Sequence, residues 1–93
     1  MDIEISRFAE GEEKSFLERA VSELHEKILF GEGKCSISLS SWRDGSTIKI
    51  RTNCRNIYEH IKLPDEAAII KRDEDSLLFN YKEYRFLYFH VNF

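Results

Sequence analysis

The strongest structural signal in the chain is a β-hairpin centred on the dipeptide Asp44 and Gly45. Ile, Leu and Thr alternate with polar residues on both sides of this dipeptide, between Lys34 and Cys54. Such alternation predicts two half-buried strands, and Asp-Gly favours a type I′ turn, in which both central residues need positive φ. With these two residues as the loop, Ser41 pairs with Ile48, and the aliphatic side chains gather on one face.

The opposite face of this hairpin is predicted to be polar and basic. A slip of one residue would turn every aliphatic side chain toward water, so turn chemistry and side-chain period support the same assignment of faces. The polar face is predicted to carry Ser36, Ser38, Ser40 and Trp42 on the first strand and Thr47, Lys49, Arg51 and Asn53 on the second.

Periodicity along the rest of the chain predicts one long helix and several strands. Apolar residues recur every three or four positions from Gly11 to Phe30, which is typical of an amphipathic helix. Arg55 to Leu63 suits either a short helix or a strand, and Pro64 ends it. Strands are predicted at Met1 to Phe8, Glu66 to Arg72, Leu77 to Tyr81 and Tyr84 to Phe93, with a polar turn at Asp73 to Ser76.

The length of 93 residues allows one domain with a single core, spanning residues 1–93. Short connections make neighbouring strands antiparallel, and one long helix has to cover one face of the sheet. We therefore predict a two-layer α+β fold with the N-terminal amphipathic helix packed on a mostly antiparallel sheet of about five to six strands.

Charge is distributed unevenly along the chain. Residues 1–33 hold four Lys or Arg against nine Asp or Glu, whereas residues 34–63 hold six against two. The formal net charge is −3. No apolar run approaches the ~18 residues that span a bilayer, and the first residues lack the pattern of a signal peptide. We expect a cytoplasmic protein that does not enter a membrane.

The two cysteines, Cys35 and Cys54, face each other in the predicted hairpin. Either a disulfide or two reduced thiols fits this position, and a cytoplasmic location favours two reduced, buried thiols. Two cysteines without a nearby second ligand pair do not form a tetrahedral metal site. We expect no metal and no cofactor.

The first candidate site is the basic face of the hairpin and its tip. Trp42 and Arg43 lie near the turn, Lys49 and Arg51 follow on the second strand, and Arg55 comes just after it. Basic groups beside an aromatic ring can bind an acidic protein surface, with Trp and Arg as anchors, or a nucleic-acid backbone. The acidic balance of the whole chain weighs against nucleic acid, and a solvated face without a partner is the simplest alternative.

The second candidate site is the C-terminal strand, because both of its faces are apolar. Leu87, Phe89, Val91 and Phe93 lie on one face, and Tyr84, Phe86, Tyr88 and His90 lie on the other. One face has to pack under the helix, so the other becomes an exposed stripe unless a partner, a second copy or the connector covers it. The tyrosine face is the predicted binding stripe, and a central strand closed on both faces is the alternative.

No catalytic motif occurs in the chain, and the three histidines are too widely spaced to form a local metal site. We therefore predict a non-enzymatic protein-binding module that regulates or inhibits another protein. Phage-encoded, antitoxin and immunity proteins offer a class-level analogy. A nucleic-acid-binding module that uses the basic hairpin face is the second hypothesis. A self-associating structural protein, with a homodimer formed through the C-terminal strand, is the third.

Overall fold

The structure, a computed structural model, describes residues 11–27, 29–30 and 41–92, and for residues 29–30 and 41–43 it describes the backbone alone. The strand predicted at Met1 to Phe8 lies outside these ranges. The helices are α1 (Gly11–Lys27) and α2 (Ile57–His60). The strands are β1 (Leu29–Phe30), β2 (Ser41–Asp44), β3 (Thr47–Thr52), β4 (Ile61–Lys62), β5 (Ala68–Arg72), β6 (Ser76–Tyr81) and β7 (Tyr84–His90).

Helix α1 has the apolar face that the sequence predicts, but it is shorter than predicted. Its buried residues are Leu17, Ala20, Val21 and Leu24, at the spacing that places side chains on one side of a helix. The helix ends at Lys27 instead of Phe30. Leu29 and Phe30 form β1, which pairs antiparallel with β4 in a small two-stranded sheet.

The hairpin of β2 and β3 forms with a register two residues away from the predicted one. Its loop is Gly45 and Ser46, because Asp44 stays in β2 and pairs with Thr47. Gly45 has a φ of 62°, whereas Ser46 is not at positive φ. A type II′ turn needs positive φ only at its first central residue, so glycine in that place fixes the loop. The predicted pairing of Ser41 with Ile48 is therefore wrong, and Ser41 pairs with Ile50.

A shift of two residues leaves every side chain on its predicted face, because the side-chain period of a strand is two. Ile48, Ile50 and Thr52 are fully buried, whereas Lys49 and Arg51 between them are only half-buried. The separation of apolar and basic faces on β3 therefore agrees with the prediction.

The connector between β3 and Pro64, Arg55 to Leu63, was predicted to be either a short helix or a strand, and it contains one of each. Asn56 adopts a left-handed conformation with φ of 51°, α2 makes a single turn, and β4 follows directly. The three strands beyond Pro64 form the predicted antiparallel meander. Its first turn is held by Asp73, whose Oδ1 accepts hydrogen bonds from the backbone N–H groups of Asp75 (2.9 Å) and Ser76 (2.7 Å).

The main sheet has five strands in the order β2-β3-β7-β6-β5. Its neighbouring pairs are antiparallel except for β3 and β7, which run parallel. With α1 on one face, this is the predicted two-layer α+β fold, and the strand count is at the low end of the prediction. The last strand lies at the centre of the sheet, so neither of its backbone edges is available for the predicted homodimer through the C-terminal strand.

The core lies between α1 and one face of this sheet. The Phe79 ring stacks against Phe86 and Tyr88, with centroids 5.6 Å and 6.0 Å away. The Phe16 ring of α1 packs against the Tyr84 ring in a T-shaped arrangement, with the two centroids 5.6 Å apart. Large aromatic side chains bury much apolar area per residue, so this cluster dominates the core of a small domain.

The prediction of two reduced thiols is wrong for Cys54, which is disulfide-bonded. Cys35, the other cysteine of the chain, lies outside the described residues. Cys54 is buried two residues after the end of β3, and its backbone N–H donates to Thr52 Oγ1 at 3.1 Å. Cys54 is therefore held in place by a hydrogen bond to the last residue of β3 as well as by its disulfide bond.

Candidate functional site

The predicted binding stripe on the terminal strand is part of the core. Tyr84, Phe86 and Tyr88 are 8%, 0% and 0% exposed, because this face of β7 lies under α1. His90 is half-buried at the end of the same face, opposite Thr52, and its backbone N–H donates to the Asp75 carbonyl oxygen at 2.8 Å. The prediction that these rings are exposed is therefore wrong.

A polar contact between α1 and β7 is enclosed in this core. A hydrogen bond of 2.9 Å joins His25 Nε2 and the Tyr88 hydroxyl. Burial lowers the pKa of His25 to about 4 and raises the pKa of Tyr88 above its usual range. Both groups are therefore uncharged at neutral pH, which is the state that a low-dielectric environment favours. The hydrogen bond satisfies two polar groups inside the core and so contributes to stability.

The opposite face of the sheet combines residues from the two predicted sites. The parallel pairing of β3 with β7 places Lys49 beside Leu87 and Arg51 beside Phe89. On the other side of β7, Leu78 of β6 lies next to Leu87. We call this surface the open face. On β2, β3, β6 and β7 its described residues are Asp44, Thr47, Lys49, Arg51, Ser76, Leu78, Asn80, Arg85, Leu87 and Phe89.

The open face has an apolar centre with basic residues around it. Leu78, Leu87 and Phe89 are half-buried on adjacent strands. Three of the residues that define the face are cationic and one, Asp44, is anionic. Asp44 pairs with Lys49 at 3.1 Å, so the face keeps a positive balance, whereas the other layer is formed by a helix with five Glu against three Lys or Arg. The two layers of the molecule therefore differ in the sign of their charge.

Two predicted tip residues can be placed only by their strand position. Trp42 pairs with Lys49 and Arg43 pairs with Ile48 in the register of the hairpin. The side chains of Trp42 and Arg43 are outside the described part of the structure.

Arg55 does not join the basic face. Its Nη1 lies 3.1 Å from Glu74 Oε1 and 3.9 Å from Asp75 Oδ1, in the turn between β5 and β6. Asn56 N–H of the connector also donates a hydrogen bond of 2.7 Å to the Glu74 carbonyl oxygen in this turn. Arg55 therefore links the connector to the meander, and the basic site contains one residue fewer than predicted.

A second surface, at β5, was not predicted from the sequence. Ile69 and Ile70 are 44% and 49% exposed, and Tyr58 of the neighbouring α2 is 38% exposed. Ile69 also lines a groove of about 290 Å³ with Tyr58, Leu63 and Pro64. The Arg72 guanidinium lies over the Tyr58 ring at 4.4 Å from its centroid, which covers one side of that ring by a cation–π contact.

The exposure of these isoleucines results from the position of β5. In the described part of the sheet β5 has a neighbour, β6, on one side only. Its pairing with β6 is irregular between Ile69 and Lys71, so Ile70 has no direct partner. One signal was available in the sequence, because two consecutive isoleucines cannot lie on the same face of a regular strand. That both are exposed follows from the edge position of β5 and from its irregular pairing with β6, which local patterns do not specify.

The largest cleft outside these two surfaces that borders the connector holds a carboxylate that is already hydrogen-bonded. This shallow cleft of about 510 Å³ is lined by Asn56, Tyr58, Glu59 and residues 72–74. Its Asp73 carboxylate already accepts hydrogen bonds within its own turn, and the bond from the Ser76 hydroxyl is the main reason that the pKa of Asp73 is lowered. Within the described ranges no group of three His, Cys, Asp or Glu side chains is placed to hold a metal ion.

Comparison of the chain with protein-family models, with curated proteins and with solved structures finds no match. Among the described helices none is long and apolar enough to cross a membrane.

Proposed function

We propose that this chain is a non-enzymatic protein-binding module that regulates or inhibits a partner through the open face. One observation carries the proposal: the β3–β7 pairing places Lys49 and Arg51 directly beside Leu87 and Phe89. An apolar centre with a charged border is the usual anatomy of a protein interface. The partner would present apolar side chains surrounded by Asp or Glu.

The residue types on the open face support such a role. Aromatic residues and Arg contribute much of the binding energy in protein interfaces when a partner excludes water around them. Basic side chains at the border attract an acidic partner and raise the rate of association. A 93-residue chain that binds through a sheet face needs no deep pocket, so the proposal fits the small size of the domain.

The experiment compares substitutions on the open face with a matched substitution elsewhere. Lys49→Glu reverses a charge of the face, and Leu87→Asp places a charge at its centre. Lys82→Glu is the control, because it changes the net charge equally in the turn beside Glu23 of α1, 4.0 Å away. Binding would be measured by affinity capture from a nuclease-treated lysate, after circular dichroism confirms that each variant is folded.

We expect the wild type and Lys82→Glu to retain the same proteins, whereas Lys49→Glu and Leu87→Asp lose them. Equal retention by all four proteins would exclude the open face as the binding surface. Loss by the control as well would show that overall charge, and not this surface, determines capture.

A nucleic-acid-binding module is the second candidate, because Lys49, Arg51 and Arg85 share one sheet face with Phe89. Cations that track a phosphate backbone and a ring that stacks on bases are the usual components of such a face. Against it, Lys49 already pairs with Asp44, and Arg85 Nε donates to Asn80 Oδ1 at 3.3 Å. A labelled single-stranded oligonucleotide that is not shifted at low salt would exclude this function, whereas binding that weakens steeply with salt would support it.

The cytoplasmic location expected from the sequence stays a prediction. The disulfide at Cys54 weighs against it, because lasting disulfides are typical of oxidising compartments. Mass spectrometry of alkylated protein from the native host would show in which state this cysteine is kept.

A further inference from the structure

Strand β5 gives the open face a second basic border. Lys71 pairs with Leu78 in the register of β5 and β6, and residues paired across two strands lie on the same side of the sheet. Leu78 pairs in turn with Leu87, and Leu87 pairs with Lys49. One row across four neighbouring strands therefore consists of a lysine, two leucines and a lysine.

The space between the two lysines has the width of one helix. Lys49 and Lys71 are three strand spacings apart, which is about 14 Å between their backbones. An α-helix with its side chains is about 10–12 Å across. Strand β7 has seven residues and is about 23 Å long, the length of about 15 residues of helix. A single helix along β7 and β6 would cover the two leucines and have a lysine on each side.

The backbone of the open face favours a helix over an extended segment. Strand β7 pairs with β3 and β6, and β6 pairs with β7 and β5, so a partner on this face meets side chains only. An extended segment across the leucines would bury N–H and C=O groups that find no partner there. A helix satisfies these groups internally. A second sheet also does so, but it needs an apolar surface wider than the two strands between the lysines.

Both lysines can exchange their present partners for carboxylates of another protein. Lys49 Nζ lies 3.1 Å from Asp44 Oδ2, and Lys71 Nζ lies 3.6 Å from Asp73 Oδ2. Ion pairs at an exposed surface contribute little to stability, so their exchange costs little. Arg85, which is exposed on the same face, adds a further cation. The helix that fits has apolar residues on one side and Asp or Glu along both borders of that side.

We propose that the partner of the open face is an amphipathic α-helix of another protein, which lies along β7 and β6 with acidic residues toward Lys49 on one side and Lys71 on the other. Helices that bind in this way present apolar residues at spacings of three and four. The inference rests on the proposed function, since it names the partner of the same surface. It adds Lys71, which the proposed function does not require.

The first experiment selects binders from two displayed peptide libraries. Peptides of the helical library have about 15 positions, with leucines fixed three and four residues apart and Glu, Lys or Ser allowed at the positions that border them. The second library is identical except for two central prolines, which prevent a continuous helix. We expect the wild-type chain to enrich the helical library alone, with Glu selected along both borders.

The second experiment measures the affinity of an enriched peptide for variants of the chain by fluorescence anisotropy, after circular dichroism confirms that each is folded. Leu87→Asp, Lys49→Glu and Lys71→Glu should each weaken binding about tenfold or more. Lys62→Glu is the matched control, because it makes the same charge change at an exposed lysine of β4, outside the main sheet. Its affinity should equal that of the wild type.

A charge exchange separates contact at the two borders from a general effect of charge. The enriched peptide is remade with Lys in place of Glu along both borders. We expect this peptide to bind the double variant Lys49→Glu, Lys71→Glu more tightly than it binds the wild type. Equal binding to both would contradict the proposed position of the helix.

Other results would also overturn the proposal. Enrichment of the proline library, or of neither library, would exclude a helix as the occupant. Equal affinity of Lys71→Glu and the wild type for the enriched peptide would show that the helix does not lie between two basic borders. A dimer that Leu87→Asp disrupts would make a second copy the occupant, and an oligonucleotide that displaces the peptide would make it a nucleic acid.

The lysate capture described under the proposed function distinguishes the two failures. Capture that is lost by Leu87→Asp and kept by Lys71→Glu would retain the open face as the binding surface and reject a helix between the two lysines. Capture that Leu87→Asp leaves unchanged would reject the proposed function and this inference together.

Discussion

Acid should destabilise the fold through His25. The folded state holds this imidazole with a pKa of about 4, whereas its ordinary value is 6.5. The unfolded chain therefore takes up a proton near pH 6.5, and the folded chain resists it until about pH 4. The stability linked to neutral His25 is complete above pH 6.5 and is lost as the pH falls from 6.5 to 4.

The size of this effect follows from the two pKa values. One pKa unit corresponds to 1.36 kcal/mol, so the interval gives an upper value of about 3 kcal/mol, and partial access of water to the ring reduces it. For a domain of this size the total stability is on the order of 5–10 kcal/mol. A loss of about 2–3 kcal/mol of this free energy of unfolding would be clearly measurable in a urea unfolding curve.

The assay is urea unfolding followed by circular dichroism between pH 7.5 and pH 4. We expect the free energy of unfolding of the wild type to decrease over this range, and His25→Gln to be less stable at pH 7.5 but to lose much of this pH dependence. His60→Gln is the matched control and should keep the slope of the wild type. An unchanged slope in His25→Gln would refute the reasoning, because another group would then carry the proton uptake.

Three further predictions concern the core, the disulfide and a turn. Phe86→Ala should lower the free energy of unfolding by about 3–5 kcal/mol in urea unfolding, since Phe86 is fully buried; a loss below about 1 kcal/mol would contradict its place in the core. Cys54→Ser should cost about 2–4 kcal/mol, and a reducing agent should destabilise the wild type but not the variant. Lys82→Gly should raise the free energy of unfolding by up to about 1 kcal/mol and with it the midpoint of thermal unfolding, because Lys82 has a φ of 53° that glycine adopts without steric cost. A lower midpoint would contradict this.

Local patterns in the sequence predicted most of the secondary structure. The apolar spacing of Leu17, Val21 and Leu24 identified the helix and its buried side. The Asp73 to Ser76 turn was recognised because Asp favours turns in which its side chain accepts backbone hydrogen bonds, and its Oδ1 does so here. Turn type was harder to assign. Asp44-Gly45 and Gly45-Ser46 both provide a glycine for a two-residue loop, so the register could shift by two without changing any face.

The faces of β7 could not be assigned from the sequence, because both are apolar. Tyr88 is fully buried and Leu87 is only half-buried, although either would suit a core. The choice depends on the parallel pairing of β3 with β7, which joins residues far apart in the chain. Short connections correctly predicted antiparallel neighbours within each hairpin, but they carry no information about how the two hairpins meet.

The candidate site was consequently predicted in part. Lys49 and Arg51 were identified from the alternation along β3, and the structure keeps them on the surface opposite the helix. Their neighbours Leu87 and Arg85 were not chosen, because their proximity depends on the order of strands. The exposure of Ile69 likewise depends on its edge position, since the same residue in a central strand would be buried.

The central claim is that one face of β7 is core and the other is accessible to solvent, as the proposed binding role requires. Methyl resonances in NMR spectra recorded with a soluble paramagnetic agent test it most directly. We predict strong broadening of the Leu87 and Leu78 methyl signals, which belong to the open face, and little change for Leu77, which is fully buried. Protection of Leu87 equal to that of Leu77 would contradict the claim.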